Sequence, residues 1–463
     1  MFNDNIISDH DIIKKRGLSA ITIGLLFYGV LFLMALALQQ YNIFKMLLAG
    51  VLIPLVIYRS IVNPGAVLFI CLIAYFTPEA ELYGNIILFL YGLTIVIYHL
   101  LVKRIHIKVD IILLLWLAIG INAFLTIGRW HHLSLAMRGL LHFAFLPIIV
   151  YISIVKNIID YDGCQRFIKI YFPIVISYAV IQVILYYFSN VAISKINSMS
   201  LHSGYGLGWG VSNTLATIMV LFATVLYSNP GFTRANPIVR TWFYFLIAST
   251  VMIAVMIISR GALLSLTLAV SVFYIIRSIL EKRFDLWHWL GKLTILSLFI
   301  TGLFYRYIVT LIDRFANLKI DQSTFGRLYV AWDSFAAMKK NLLIGPGPNQ
   351  YRYHEFYRYL EDPHNIFLRY GVDFGIISMG IISLILMYPL YKILKLYRQK
   401  PVSAVNIYTL LMLPYLIALC NSQIEAAITK FNYGLVFWVF YSLIIRFTND
   451  ADKLQGDKYA WMN

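Results

Sequence analysis

Apolar residues occur along the chain in blocks of about 15 to 22, separated by short polar breaks. A helix needs about 20 apolar residues to cross the hydrocarbon core of a bilayer, and it satisfies its own backbone hydrogen bonds there. The strands of a membrane barrel would alternate apolar and polar residues, whereas blocks such as FIKIYFPIVISYAVIQVILYYF do not alternate. The pattern therefore predicts an all-α polytopic membrane protein.

The blocks give fourteen candidate spans, of which the second and third are short enough to be half-spans. We therefore expect about 12–14 transmembrane helices. The candidate spans cover residues 18–38, 43–58, 65–77, 86–102, 109–126, 139–155, 167–188, 212–228, 241–258, 261–280, 288–309, 366–391, 404–421 and 432–446.

Basic residues between these spans predict the sidedness of the chain, because cytoplasmic loops are enriched in Lys and Arg. Lys14, Lys15 and Arg16 precede the first span, and alternate connections after it carry further basic residues, including Lys103 and Arg446. Both termini are predicted to be cytoplasmic. We divide the chain into an N-terminal multispanning region (1–200), a helical region (201–309), a large loop (310–365), C-terminal spans (366–446) and a cytoplasmic tail (447–463).

The loop at 310–365 differs from the other predicted outside connections in its length and its content. It contains the amphipathic stretch FGRLYVAWDSFAAMKKN, then LLIGPGPNQY, then RYHEFYRYLEDPHN. Long loops that are neither disordered nor low in complexity are usually functional. We predict an ordered extracytoplasmic cap over the membrane bundle.

Composition agrees with this interpretation. The chain is 60% hydrophobic and 13% charged, with a formal charge of +17, whereas soluble domains are about 45–50% apolar and about 25% charged. Such a positive charge can indicate nucleic-acid binding, but here the basic residues lie in short clusters between spans. They are therefore predicted to set topology and to contact anionic lipids, with membrane lipids as partners and no nucleic acid.

Four candidate functional residues fall on the predicted outer side. They are Arg138 in SLAMRGLLHF, Arg260 in IISRGALLSL, Arg327 in TFGRLYVAW, and His364, which is followed by Asn365 at the start of the next span. Three of them have a structural alternative: Arg260 can snorkel to headgroups, Arg327 can lie on a solvated face, and His364 can be a loop residue before a helix that Pro363 introduces and Asn365 caps.

Arg369 and Asp373 lie within the predicted span at 366–391. Their i,i+4 spacing places them on one helix face, where they are expected to neutralise each other. A charged pair inside a span should face the protein interior or a wet cavity. We assign both residues a structural role.

Common catalytic and metal-binding motifs are missing from the sequence. IGPGPNQY is not followed by GK[ST] and is interpreted as a turn, the adjacent His131 and His132 do not share a helix face, and no HExxH or GxSxG element occurs in a plausible context. Cys71, Cys164 and Cys420 show no zinc or disulfide spacing. No metal site is predicted.

Three of these segments together resemble the O-antigen ligase and O-antigen polymerase superfamily of bacterial envelope glycan assembly. His364, Asn365, nine residues and Gly375 match the signature H-[N/S/Q]-x9-G-x-x-[G/T/Y] except at its last position, which is Ser378 here. SRGALL resembles the R-x3-L element of the family. GRLYVAWDSFAAMKKNLLIGPGPNQY resembles its periplasmic segment, with Leu342 where Pro is usual.

The resemblance implies a C-type glycosyltransferase fold in the bacterial inner membrane, with one large structured periplasmic loop. The implied donor is a glycan on undecaprenyl diphosphate at the periplasmic face, and the implied reaction uses no cofactor, nucleotide or metal. On this basis Arg260, Arg327 and Arg138 would hold the diphosphate, because guanidinium groups bind phosphate oxygens bidentately. His364 would be the catalytic base and Asn365 would orient it or the acceptor, while Gly375 would be structural.

Three functions remain open at this stage. A polymerase would join lipid-linked repeat units of an O-antigen, capsule or exopolysaccharide, with a chain-length regulator as a candidate partner, and the length and span count favour it slightly. A ligase would transfer a finished glycan to lipid A-core. A transporter or flippase would place its site near the midplane and often shows inverted repeats, whereas the candidate residues here gather at the outer rim.

Overall fold

The computed structural model describes most of the chain in separate stretches. These are residues 53–77, 81–103, 109–190, 212–228, 236–257, 260–281, 322–351, 363–399, 402–423, 428 and 430–453. Of the described residues 87% are helical and none is in a strand. The predicted spans at 18–38 and 288–309 lie outside the described residues.

Thirteen helices, α1 to α13, account for the described stretches. Three of them contain π-helical turns, at Ile95–Val102, Leu141–Phe145 and Phe167–Tyr171. In chain order, α1 to α13 are Ile53–Val62, Pro64–Tyr75, 81–102, Ile111–Leu125, Leu133–Val155, 161–190, Ser212–Tyr227, Pro237–Met256, Arg260–Glu281, Gln322–Lys340, Ile366–Gln399, Val402–Asn421 and Phe431–Lys453.

Four stretches of helix are long and apolar enough to cross a membrane: Leu133–Val155, Tyr161–Leu185, Pro237–Ala254 and Ile366–Leu396. Seven shorter apolar helices occur elsewhere in the described part of the chain. These findings confirm the predicted all-α polytopic class. The total of 12–14 spans stays a prediction, since it includes segments that the structure does not describe.

Most predicted boundaries lie within a few residues of the helix ends. The largest differences are at two C-terminal ends: α11 continues to Gln399 although its span was expected to end at 391, and α13 continues to Lys453 although its span was expected to end at 446. Arg446 and Asp450 stabilise this extension by an i,i+4 ion pair of 2.6 Å. The first residues of the predicted tail are therefore helical.

Asp110 marks one end of the helical bundle. Its carboxylate caps α4 by accepting from the Leu113 amide at 2.9 Å, and it also accepts from the Tyr151 hydroxyl at 2.8 Å and from Lys156. The predicted cytoplasmic connections before α4 and after α5 thus meet at one point. We call this the Asp110 end.

The opposite end of the bundle carries His364, directly before α11, and we call it the His364 end. Between the two ends the core is aromatic and aliphatic, as in the edge-to-face pair of Trp116 on α4 and Trp438 on α13, whose ring centroids are 5.1 Å apart. Helices α7 and α9 both pack along α12, and α13 packs along the second half of α5. These contacts bring the start of α9 and the end of α12 together.

Candidate functional site

His364 lies directly before α11 and follows Pro363, which is buried. The side chain of His364 is partly buried. Asn365 caps the helix: its side-chain oxygen accepts from the backbone amides of Phe367 at 2.9 Å and Leu368 at 3.1 Å. The side-chain amide of Asn365 donates to Gln423 at 2.9 Å. Both ends of this side chain are therefore held within the protein, and a direct substrate contact by Asn365 stays a prediction.

The end of α12 is fixed to the start of α11 by a second bond. The Ile366 amide donates to the Ser422 carbonyl oxygen at 2.9 Å. Together with the bond from Asn365 to Gln423, it places the turn after Asn421 directly beside His364. His364 is thus located at the end of α12 as well as at the start of α11.

Arg260 is the first residue of α9, and its side chain lies outside the described residues. Five residues later, the Ser265 hydroxyl accepts from the side-chain amide of Asn421 at 3.2 Å, and the same amide donates to Thr217 on α7 at 2.8 Å. Five helical residues span about 8 Å. The start of α9 is therefore held at the end of α12, the same end that holds His364.

Arg138 lies at this end too, on the first turns of α5, and its side chain is exposed. Its neighbour Gly139 packs against Pro348 and Asn349 of the large loop. A Cβ on Gly139 would come 2.8 Å from Pro348 Cβ and 2.7 Å from Asn349 Nδ2. Arg138 therefore lies close to this part of the large loop, and its position on the outer side of the membrane stays a prediction.

Arg327 lies on α10, and its side chain also falls outside the described residues. The C-terminal part of α10 packs against α11, where a Cβ on Gly371 would come 2.8 Å from the sulfur of Met338. Arg327 precedes Met338 by eleven residues, or about 17 Å of helix. The structure thus brings the helix of Arg327 to α11 without fixing the position of its guanidinium group.

Helix α11 is interrupted at Gly375, where φ is 82° and ψ is 175°. Residues 341–348 fill the interruption: the Ile376 amide donates to the Leu342 carbonyl oxygen at 2.8 Å, and a Cβ on Gly375 would overlap the carbonyl of Leu343. Only glycine adopts this backbone conformation readily. The Gly of the family signature is therefore the residue that admits the loop into the helix.

The GPGPNQY segment continues this docking, and we call residues 341–351 the docked segment. The Gly347 amide donates to the Asp373 carbonyl oxygen at 2.9 Å, which the helix interruption leaves available. Arg129 donates to the Gly345 carbonyl oxygen at 3.0 Å. Gln350 accepts from the backbone amides of His131 and His132 at 2.8 and 3.2 Å. The segment predicted to be a turn thus joins α11 to the start of α5.

Arg369 fastens the docked segment to α11. Its Nε donates to Asp373 at 2.9 Å, one terminal nitrogen donates to the Tyr351 hydroxyl at 3.0 Å, and the other donates to the Asn349 side chain. The guanidinium carbon lies 4.5 Å from the centre of the Tyr351 ring and 5.1 Å from that of Phe143. Both charged residues of the pair are buried. The guanidinium group therefore orients the loop as well as balancing the charge of Asp373.

Sequence reasoning missed Asn122, Asn421 and Gln423. Asn122 donates to the Phe374 carbonyl oxygen at 2.6 Å and to the Ser378 hydroxyl at 2.8 Å, beside the break at Gly375. A polar amide inside or at the end of an apolar block is the signal that could have found them, because such groups seek partners in a bundle.

The arrangement has a clear chemical character. Arg138, the first residue of α9 and His364 are collected at one end of the bundle, next to a docked segment that a buried guanidinium group holds. Arginine residues at the same end of the bundle as a histidine suit an anionic substrate that also needs a proton acceptor.

Comparison with known families agrees with this character. Residues 243–383 match the family model described as O-Antigen ligase. The match confirms the resemblance to the O-antigen ligase and O-antigen polymerase superfamily and covers α9, α10, the docked segment and the first half of α11. It supports an enzyme of the ligase or polymerase type. No curated protein matches the chain.

Proposed function

We propose that the protein is a membrane glycosyltransferase that polymerises oligosaccharide repeat units carried on undecaprenyl diphosphate. The repeat units belong to an O-antigen, capsule or exopolysaccharide. The proposal places the chain in the bacterial inner membrane with both termini in the cytoplasm and the reaction at the periplasmic face. The family match supports the enzyme type, and the length and predicted span count favour a polymerase.

The observation that carries the proposal is the shared position of Arg260 and His364. The bond between Ser265 and Asn421 holds the start of α9 at the end of α12, and the bond between Gln423 and Asn365 holds His364 there. Two residues about 100 positions apart in the chain thus lie on helices that are joined at one end of the bundle, where we propose that a lipid-anchored substrate presents its reactive group.

The arginines act on the donor. Arg260, together with Arg138 and Arg327, binds the diphosphate and stabilises the negative charge that develops on it as the bond to the sugar breaks. The bond between C1 of the donor sugar and the phosphate oxygen breaks, and its electron pair leaves with undecaprenyl diphosphate. Fixed guanidinium groups can supply this stabilisation without a metal ion.

His364 acts on the acceptor. The hydroxyl oxygen of the acceptor sugar forms the new bond to C1, and its proton passes to the imidazole of His364. A sugar hydroxyl is a weak nucleophile, so a positioned base is expected to contribute about 10²–10⁴-fold to the rate. Asn365 keeps His364 in place through the helix cap and the bond to Gln423.

Purified protein in nanodiscs, supplied with lipid-linked repeat units, tests this mechanism. The wild-type protein should lengthen the glycan in the presence of EDTA, and His364→Ala should reduce the rate by about 10²–10⁴-fold. Normal product length and rate from His364→Ala would remove His364 from the catalytic role. Loss of activity on EDTA treatment, with recovery on adding a metal, would contradict the metal-free mechanism.

A ligase is the second candidate, because the matching family model is described as O-Antigen ligase. Such an enzyme would use the same end of the bundle to transfer a finished glycan to lipid A-core. A deletion strain separates the two activities. Lost polymer length supports the polymerase, whereas normal chain lengths with no attachment to lipid A-core would identify the ligase.

A further inference from the structure

Helix α10 exposes a stripe of large aromatic side chains. Tyr329, Trp332 and Phe335 are 56%, 74% and 46% exposed, and Val330 and Ala337 on the opposite face are buried. Exposed aromatic stripes of this kind are uncommon on surfaces that face water and mark an interaction site. The stripe ends at Lys339 and Lys340, which are also exposed.

The apolar surface continues past the end of α10 onto α11. Leu342 and Leu343 of the docked segment are 45% and 59% exposed, and Ile376 and Ile377 are 40% and 53% exposed. The Ile376 amide donates to the Leu342 carbonyl oxygen, so the two pairs are adjacent. Ile377 belongs to the long apolar helix Ile366–Leu396, which exposes Leu384 two turns further along. The apolar surface is therefore continuous with the exposed side of an apolar helix that is long enough to cross a membrane.

The level of the docked segment within the bundle can be measured from the Asp110 end. Tyr151 donates to Asp110, its ring lies 6.5 Å from that of Tyr441, and the Tyr441 hydroxyl donates to the Ile385 carbonyl oxygen at 3.0 Å. From Ile385 to Ile376 is nine residues of helix, about 14 Å. The hydrocarbon core is about 30 Å thick, so Leu342 and Leu343, which lie beside Ile376, are at a level inside it.

The end of α10 lies somewhat nearer the surface of the same leaflet. Met338 packs against Gly371, five residues closer to the His364 end than Ile376. Trp332 precedes Met338 by six residues, about 9 Å of helix. Trp and Tyr are enriched at membrane interfaces, and lysines reach toward anionic headgroups. The aromatic side chains are therefore nearer the interface than Leu342 and Leu343, and Lys339 and Lys340 reach the headgroups by extending their side chains back toward the surface.

We propose that residues 329–343 form a wedge embedded in the leaflet next to His364, with lipid as its partner. Leu342 and Leu343 contact acyl chains, Tyr329, Trp332 and Phe335 lie at the interface, and Lys339 and Lys340 bind anionic headgroups. The segment that the sequence predicts to be part of an extracytoplasmic cap is thus partly a membrane-inserted element. This inference is independent of the reaction that the protein catalyses.

Spin-label accessibility in vesicles of phosphatidylethanolamine and phosphatidylglycerol tests the wedge. The native cysteines are first removed from the full chain by Cys71→Ala, Cys164→Ala and Cys420→Ala. A nitroxide is then attached to a single new cysteine, Trp332→Cys in one variant and Phe335→Cys in a second. Labels through Leu384→Cys and the exposed Asp162→Cys provide lipid and water references. The nickel chelate is present on both sides of the bilayer.

The wedge predicts that both test labels collide with oxygen more than with the nickel chelate, as the label at position 384 does. Stronger collision with the nickel chelate, as at position 162, would place the stripe in water and overturn the proposal. Low accessibility to both reagents would show that protein covers the stripe, either a second copy or another partner, and would overturn it too. None of these accessibility measurements depends on glycan transfer. A result against the wedge would therefore leave the glycosyltransferase proposal unaffected.

Discussion

The carbonyl of Leu343 occupies the space that a Cβ on Gly375 would need. This close approach exists because α11 breaks at Gly375, where φ is 82°, and the docked segment fills the break. One glycine therefore determines whether the loop before His364 can pack into the bundle.

Replacing Gly375 should prevent the docked segment from packing into the break in α11. Gly375→Ala combines a steric overlap with a backbone conformation that costs a non-glycine residue about 1–3 kcal/mol. We expect a lower melting temperature in detergent and a loss of glycan transfer of at least about tenfold, measured by thermal unfolding and by product ladders. Gly380→Ala is the matched control on the same helix, because no atom lies within 4 Å of the added Cβ. Equal behaviour of the two variants would contradict the docking role.

Arg369 should be more important than an ordinary ion-pair residue. Arg369→Met leaves Asp373 buried without its cation and releases Tyr351 and Asn349, and breaking a buried pair typically costs about 3–5 kcal/mol. Arg369→Lys should restore little, because lysine cannot form the three directed bonds of the guanidinium fork.

The matched control for Arg369 is Arg446→Met, which breaks another i,i+4 pair at the far end of the chain. We expect it to lower stability without changing the glycan product. Denaturation curves and product ladders report the two effects. Full activity of Arg369→Lys would show that charge alone suffices at this position.

Asn365 offers a test of helix capping against substrate binding. Asn365→Asp keeps an oxygen that can accept from the Phe367 and Leu368 amides, so it should retain most of the activity. Asn365→Ala removes the cap and should cost about 1 kcal/mol of stability. Asn63→Ala is the control, since Asn63 caps Pro64–Tyr75 through the Ala66 amide at 3.1 Å. A severe loss of turnover in Asn365→Asp would show that the side-chain amide of Asn365 is needed beyond the cap, either for its bond to Gln423 or for contact with substrate.

Asn421 should link the two halves of the site. Asn421→Leu removes the bonds to Ser265 and Thr217, so the start of α9 loses its polar tie to α12. Each interhelical bond in a membrane bundle is worth roughly 0.6–2 kcal/mol, so turnover should fall about 3- to 30-fold.

Thr448→Val serves as the control for Asn421→Leu, since the buried Thr448 hydroxyl bonds only to carbonyl oxygens within its own helix. Initial rates with lipid-linked repeat units, compared at equal amounts of folded protein, measure the effect. Asn421→Leu with the turnover of Thr448→Val would remove Asn421 from the positioning role.

The sequence predicted the helices well because apolar block length determines where a chain can cross a membrane. The block at 212–228 corresponds to Ser212–Tyr227, and that at 109–126 to Ile111–Leu125. It also predicted that Arg369 and Asp373 share a helix face, a pairing now seen at 2.9 Å.

The docked segment could not be predicted in the same way. The block at 366–391 is apolar on both sides of Gly375 except for the pair Arg369 and Asp373, and hydropathy gives no sign of the helix break. The bonds from Asn122 to Phe374 and from Arg129 to Gly345 join residues more than 200 positions apart. Periodicity reports local structure, whereas these contacts depend on how the helices pack.

The most direct test of the central claim is the side from which Arg260 and His364 can be reached. Arg260→Cys and His364→Cys, each in the background without native cysteines, would be treated with a membrane-impermeant maleimide in spheroplasts and in inverted vesicles. We expect both positions to be labelled in spheroplasts and neither to be labelled from the cytoplasmic face. Labelling of the two positions from opposite faces would contradict it.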